Sequence, residues 1–430
     1  MERLCRLATF VISRLLVLFA AFSATALQAV SLEGAVEHGL ARSPELRTEQ
    51  ARLEERNIDI DIERDAWYPG LQGSAELSSG ESATRYELRA SQTLYDWGVT
   101  GHRVDRARAQ RDTQSIEIVM ARQRLALDIA TYYLDWMSSN RRLQAVEEQI
   151  SRLDRLVQLT RERVGVVADR VELTRAELAL ARAEEERVII RGEQEDAKVL
   201  LEQRTGLALR NDGLVAAELP TAWLVRAPNR AVAQWVRHSP MLKQAKLEKA
   251  SAAANVEVAR SENLPRLSVD AIAERIEDRR GPRSDNRIAL RIETPFFQGL
   301  SAFRRPRAAG YGLEAAEQEI ATVREQLLRE VKSARTLAKI LDNRKPSLAE
   351  QLASAEETID LYFDQFLIGR RDVVDLVGAE NERVEAVFSS IEITIEQARL
   401  SVQVAADLGM LVPMIRGDVF GISPSMETAR

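Results

Sequence analysis

The chain has 430 residues, 29% charged and only 5% aromatic, with a formal net charge of -6. This Ala-, Leu-, Glu- and Arg-rich profile argues against a compact enzyme and for long helices and coiled coils. The charge is mixed along the chain with no strongly basic domain, which leaves nucleic-acid binding without electrostatic support.

The first 26 residues stand apart. Arg3 and Arg6 precede an apolar run from Leu15 to Phe22, and Ala24-Thr25-Ala26 supplies a small-x-small cleavage site. This predicts a secretory signal peptide over 1–26, with an uncleaved anchor as the other reading; the run is short for a bilayer span. Cys5, the single cysteine, lies inside it, so the mature chain has no internal disulfide. Beyond it no run of 18 apolar residues occurs.

From about 32 to 66 the pattern is helical, and Pro69 ends it by removing a donor and restricting its predecessor. The period then drops to two. Leu71, Gly73, Ala75 and Leu77 alternate with Gln72, Ser74, Glu76 and Ser78. After a polar turn, Tyr86, Leu88, Ala90 and Leu94 alternate with Arg85, Glu87, Arg89 and Thr93, which predicts a β-hairpin over 71–97. Gly98 opens a long helix in which Leu125, Ile129, Trp136, Val146, Leu153 and Val157 keep a heptad seam. That helix ends near Gly165, at a reach on the order of 100 Å, and a second follows over about 170–205.

The order then repeats. Ser43-Pro44 aligns with Ser239-Pro240, and "WYPGL" (67–71) with "NLPRL" (263–267), at one offset of 196. Gly98 matches Gly299 at 201, and Gly165 matches Gly369 at 204. A second hairpin is expected over 266–297, with 277–286 as its loop and only Ile272 and Ala289 out of phase. The second long helix holds Pro346, which suggests a kink or break, and the last helix covers about 373–411. The period is too long for a solenoid, so it reads as a duplicated unit: 27–225 and 226–412, with a tail over 413–430. Two short helices stacked end to end match one long helix in length.

Four amphipathic strands of this length fit transmembrane β-strands with lipid on one side and water on the other. Backbone groups in lipid require a closed barrel, which four strands cannot make, so several chains must share one. Two copies would give eight strands and a filled bore, three would give twelve and room for a channel. Trp67, Tyr68, Tyr95, Trp97, Phe296 and Phe297 flank the strands at their helix-proximal ends, where interfacial aromatics belong; the other reading makes them core residues of a soluble α+β domain.

"LEGAVEHGLARSPEL", "RAVAQWVRHSPML", the aromatic-x-x-Gly strand exits and the "VG" and "IG" turns, in this order twice over, resemble the TolC family of outer-membrane efflux and type I secretion channels. The resemblance covers about 31–412 and has Ser-Pro where Asn-Pro is usual. It implies a mainly α fold with a β part: a homotrimer with a twelve-stranded barrel in outer-membrane lipid and a helical barrel reaching into the periplasm. It also implies docking to a periplasmic adaptor (a membrane fusion protein) and, through it, to an inner-membrane ABC or RND-type pump, with no enzyme activity in the pore. By the same resemblance the periplasmic entrance falls on Arg371 and Asp375, with Phe366 where Tyr is usual and Gly378 where a second Asp is typical. Asp375 then either joins a carboxylate ring that favours cations or merely caps its helix. The turns holding Val164, Gly165, Ile368 and Gly369 resemble adaptor-docking tips, and also read as plain helix turns.

Other chemistry is thin. His38, His102 and His238 are isolated, Gly310-Tyr311-Gly312 lacks the features of a phosphate loop, and no nucleophile–base pair is visible, so no metal or cofactor is expected. The alternative to a pore is a periplasmic coiled-coil adaptor or scaffold outside any membrane.

Overall fold

The computed structural model describes residues 30–78, 83–163, 169–209, 214–215, 219–278, 281–294 and 301–417. The expected signal peptide, the tail beyond 417, and Val164, Gly165, Phe296 and Phe297 lie outside them. Each half of the chain begins with a pair of short helices. In the first half these are α1 (Leu32–Arg42) and α2 (Pro44–Asp65), two helices where one was expected. Pro44 has no N–H to continue α1, and the Ser43 hydroxyl accepts from Leu46 N at 3.3 Å to start α2.

After β1 (Gly70–Ser78) and β2 (Ala83–Tyr95) comes α3, a single helix of 65 residues from Val99 to Arg163, and then α4 (Arg170–Thr205). A short connector, α5 (Ala222–Arg226), leads to the second pair, α6 (Asn229–His238) and α7 (Pro240–Ser261), again divided at a Ser-Pro step. The strands β3 (Arg266–Asp278) and β4 (Gly281–Glu293) precede α8 (Ser301–Leu367), α9 (Val373–Asp407) and α10 (Leu411–Ile415). Pro346 does not break α8. It is exposed, so water can satisfy the carbonyl one turn back that loses its donor.

The long helix α3 packs on α2 and α7 towards the strands and on α4 and α9 towards the tip; α8 packs on α7 and α9. Stacked short helices thus run beside continuous long ones, as their lengths suggested. The largest core lies where the stacks meet. There Ile129, Tyr133 and Leu134 of α3 pack with Val36 of α1, Leu201 of α4, Val402 of α9 and Leu411 of α10. Truncating one of these leucines to alanine costs about 2–5 kcal/mol. Burial pushes the Tyr133 phenol up to about 12, so its hydroxyl stays neutral between the carbonyls of Val30 and Val215. A second cluster (Leu153, Leu156, Phe366, Val373, Leu376) fills the tip.

The four strands form one antiparallel sheet in the order β1-β2-β3-β4. Partners across an antiparallel ladder share a face, so the register sorts the side chains. Leu71 pairs with Ala90, which pairs with Ala271 and then Ile288; Gly73, Leu88 and Ala273 follow the same line, as do Val269 and Leu290. This face is apolar and bare: Ile288 is 80% exposed and Leu290 65%. The opposite face carries Arg85, Glu87, Arg89, Asp270, Glu274, Arg287 and Arg291. Asp270, almost fully buried, accepts from Ser91 Oγ at 2.7 Å and from Arg291 Nε at 2.5 Å, while Arg85 meets Glu274 at 3.0 Å. The out-of-phase Ile272 sits on this polar face, paired with Arg89 and Arg287. The expected 277–286 loop is mostly strand. Ile276 pairs with Arg283 and Glu277 with Pro282, so the hairpin extends past its amphipathic part on residues charged on both faces, where period two disappears.

The strand-to-helix junction is built by the stretch Tyr95-Asp96-Trp97-Gly98. Trp97 and Gly98 both adopt left-handed backbone, with φ of 59° and 85°. Trp97 is held there by its indole, which donates to Pro265 O at 2.7 Å, and by edge-on contact with Tyr95. Asp96 supplies the cap for α3, accepting from Gly98 N at 3.0 Å, Thr100 N at 2.8 Å and Thr100 Oγ1 at 2.6 Å. Desolvation alone would raise the Asp96 carboxyl, but the Thr100 and Gly98 bonds and the Arg266 charge outweigh it, and the net shift is downward.

Two outcomes test this geometry. Leu290→Cys in intact cells should be shielded from a water-soluble thiol reagent while Arg291→Cys reacts; equal labelling would refute the two-environment sheet. Asp96→Ala should speed amide exchange in the first turn of α3 at pH 7. Because a depressed carboxylate stabilises above its unfolded pKa, the difference should fade as pH falls below 3.8. An unchanged exchange rate at pH 7 would remove the cap from the account.

Candidate functional site

The tip is where the helical hairpins turn. Gly369 follows α8 with φ of 73°, and its N–H bonds to Phe366 O at 3.0 Å, a glycine-type C-terminus. Arg163, the last residue of α3, reaches across to the end of α8. Its guanidinium donates to Phe366 O at 2.7 Å and Leu367 O at 3.3 Å and lies 4.8 Å over the Phe366 ring. A cation on the carbonyl end of a helix offsets its dipole, so this contact ties the two hairpins together at their ends.

On the other side of the turn, Asp372 caps α9 by accepting from Asp375 N at 3.1 Å. This leaves the Asp375 carboxylate to face Arg371, with Nη1 to Oδ2 at 3.0 Å. Arg371 also donates to Gln365 Oε1 at 3.2 Å and sits 4.3 Å over the Tyr362 ring. The bond to Asp375 raises the guanidinium further above its already high range, so it stays charged at every accessible pH. Both partners are more than one-third exposed, and water competes for the pair, so it is a weak, openable contact.

The structure therefore brings together Arg371 and Asp375, but not Phe366. Phe366 is 2% exposed and belongs to the tip core. The aromatic that meets Arg371 is Tyr362, one helical turn earlier, which counting back from Gly369 had passed over. The cap is Asp372, three residues past Gly369, rather than Asp375 one turn later, the cap expected on one reading of the sequence. Ile368 is 66% exposed beside Gly369 at the extreme of the tip. At the helix-proximal ends of the strands Trp67, Tyr95 and Trp97 are about half-exposed and Tyr68 is more so.

Above the tip, α9 and α3 share a charged seam. Glu380 and Arg383 are buried against each other at 2.7 Å, with Arg152 and Glu148 of α3 at 3.9 and 3.8 Å. Among the described residues no three His, Cys, Asp or Glu side chains gather as a metal site, and no helix is long and apolar enough to cross a membrane.

Comparison with known proteins agrees with this architecture. The chain matches the family described as "Outer membrane efflux protein" twice, over 35–207 and 232–406. It is 28% identical over 318 residues to Protein CyaE of Bordetella pertussis, covering 67% of this chain and 65% of that relative. It is 21% identical over 390 residues to Outer membrane efflux protein BepC of Brucella suis, covering 87% and 83%. Among solved structures, the outer membrane protein VceC of Vibrio cholerae superposes with a TM-score of 0.75 at 18% identity, covering 88% of this chain and 96% of that one. The open state of the MtrE outer membrane channel of Neisseria gonorrhoeae gives 0.76 at 18%, covering 90% and 94%. The chain belongs to the outer membrane efflux protein family, carries the family's unit in duplicate and has the fold of solved outer-membrane channels.

Proposed function

We propose that three copies of this outer-membrane channel protein close a twelve-stranded barrel and pass substrates delivered by a periplasmic adaptor and an inner-membrane ABC or RND-type pump. The observation that carries this reading is the sheet: one bare apolar face, one charged face, and two unpaired edges, β1 and β4. In hydrocarbon those edges must find strands, and β4 of one copy is free to pair with β1 of the next. The number three follows from the resemblance to the TolC family, which supplies twelve strands and an open bore. A periplasmic scaffold outside the bilayer would instead leave Leu71, Leu77, Leu88, Ile288 and Leu290 in water, a contiguous patch that monomeric proteins avoid.

In this assembly Arg371 and Asp375 of each copy converge at the periplasmic entrance. Three Asp375 carboxylates around one axis attract cations, and Arg371 restrains them as the local partner that holds the tip closed. Ile368 and Gly369, with Val164 and Gly165 of the other turn, form the surface offered to the adaptor. Unit boundaries at 27–225 and 226–412, with 1–26 removed on export, fit the same scheme.

Purified in detergent from the outer-membrane fraction, the chain should run as an SDS-sensitive trimer; recovery as a soluble periplasmic monomer would refute the pore. In planar bilayers it should show low, cation-selective conductance that rises severalfold with Arg371→Ser. Asp375→Asn should weaken cation selectivity. Anion-selective current from the unmodified protein would remove Asp375 from the entrance.

A further inference from the structure

The helix α8 begins Ser-Ala-Phe-Arg-Arg-Pro-Arg over residues 301–307, shortly after β4 ends at Glu293. Phe303 is 79% exposed, and Arg304, Arg305 and Arg307 are exposed beside it. Among the described residues neither Arg304 nor Arg305 has a carboxylate partner. Among the described residues Arg307 meets the Tyr311 ring and hydroxyl, the latter at 3.3 Å.

The first copy of the unit uses its arginines differently. At the start of α3, Arg103 pairs with Glu262 at 2.6 Å, Arg106 with Glu63 at 3.3 Å and Arg108 with Asp105 at 3.1 Å. At the offset of 201 that aligns the two helix starts, Arg304 stands on Arg103, Arg307 on Arg106, and Pro306 replaces Asp105. In the first copy the positive charge is neutralised within the chain. In the second, Arg304 and Arg305 are exposed with no carboxylate partner among the described residues.

Pro306 also makes this turn rigid. Lacking an N–H, it leaves Ala302 O without its helical donor, and the Asn263 side chain fills the gap at 2.9 Å while bonding Ala259 O at 3.2 Å. The end of α7 thus clamps the first turn of α8. Three guanidiniums and a phenyl ring stand on one short segment that begins eight residues after β4, the strand that carries the exposed Ile288, Leu290 and Ile292.

We propose that this turn binds the phosphate head groups of anionic lipids in the periplasmic leaflet, with Phe303 seated at the acyl boundary. Guanidinium matches phosphate in charge and fork geometry, basic juxtamembrane clusters concentrate anionic lipid, and an aromatic ring is at home in the interface. The segment follows β4 closely in the chain, and the exposed apolar face of that strand supplies the membrane side of the site. The proposal rests on insertion of the strands in a bilayer.

The test reconstitutes the full chain into vesicles of equal parts phosphatidylethanolamine and phosphatidylglycerol, extracts it gently, and counts co-purifying lipid. Phosphatidylglycerol should be enriched roughly threefold or more. The triple change Arg304→Ser, Arg305→Ser, Arg307→Ser should abolish the enrichment without altering assembly or conductance, and the triple change to Lys should restore most of it. A nitroxide on Phe303→Cys should be relaxed by paramagnetic head groups. No enrichment, enrichment unchanged in the Ser variant, or a label immobilised against a second copy of the chain and shielded from lipid would each overturn the proposal. Assembly and conductance separate the two levels: a conducting assembly without enrichment overturns this inference alone, whereas a chain that neither assembles nor conducts overturns the pore reading with it.

Discussion

A strand immersed in hydrocarbon can send its backbone N–H and C=O groups only to another strand. Everything distinctive about this chain is arranged around that requirement. Its four strands satisfy one another inside the sheet, but β1 and β4 each keep an open edge, and no further strand exists among the described residues to cover them. The apolar face of Leu71, Leu88, Ala271 and Ile288 cannot be buried on the helices, which leave the sheet at one end. The fold is therefore incomplete as a single chain in water and becomes complete only in a bilayer with copies of itself.

The junction between sheet and helices carries the mechanical burden of that arrangement. Chain direction changes within Asp96, Trp97 and Gly98, and a non-glycine residue in left-handed backbone is uncommon. The Trp97 indole crosses from the first repeat to the Pro265 carbonyl of the second, so the two halves brace each other at the helix-proximal end of the sheet. Strand exit, cap and bracing aromatic are thus assembled from one short motif, with a physical reason for each of Asp96, Trp97 and Gly98.

The period change from 3.6 to two and back, written twice, was legible because each element has one face in a different solvent. Hairpins, long helices and the pairing of short stacks with long helices all follow from it. Legibility failed where that contrast vanishes. Around Glu277 and over 283–286 the side chains are polar or charged on both faces and exposed, so a strand there reads as loop. Pro346 reads as a break, yet one exposed lost hydrogen bond does not end a 67-residue helix packed along its length. At the tip, the family resemblance named Arg371 and Asp375 but not Tyr362, since which of two aromatics one turn apart points to the core depends on the packing of α3 and α9.

The pairing of β2 with β3 joins one hairpin to the next inside the chain, with the same antiparallel sense that β4 and β1 would need between chains. Covalent fusion of two units therefore converts half of the wall's seams from encounters between molecules into matters of folding. It also frees the halves to diverge: a residue such as Arg371 occurs once per fused pair, so a ring closed by three chains presents it with threefold rather than sixfold repetition. The duplication is what allows a wall of nearly uniform construction to carry unlike rims.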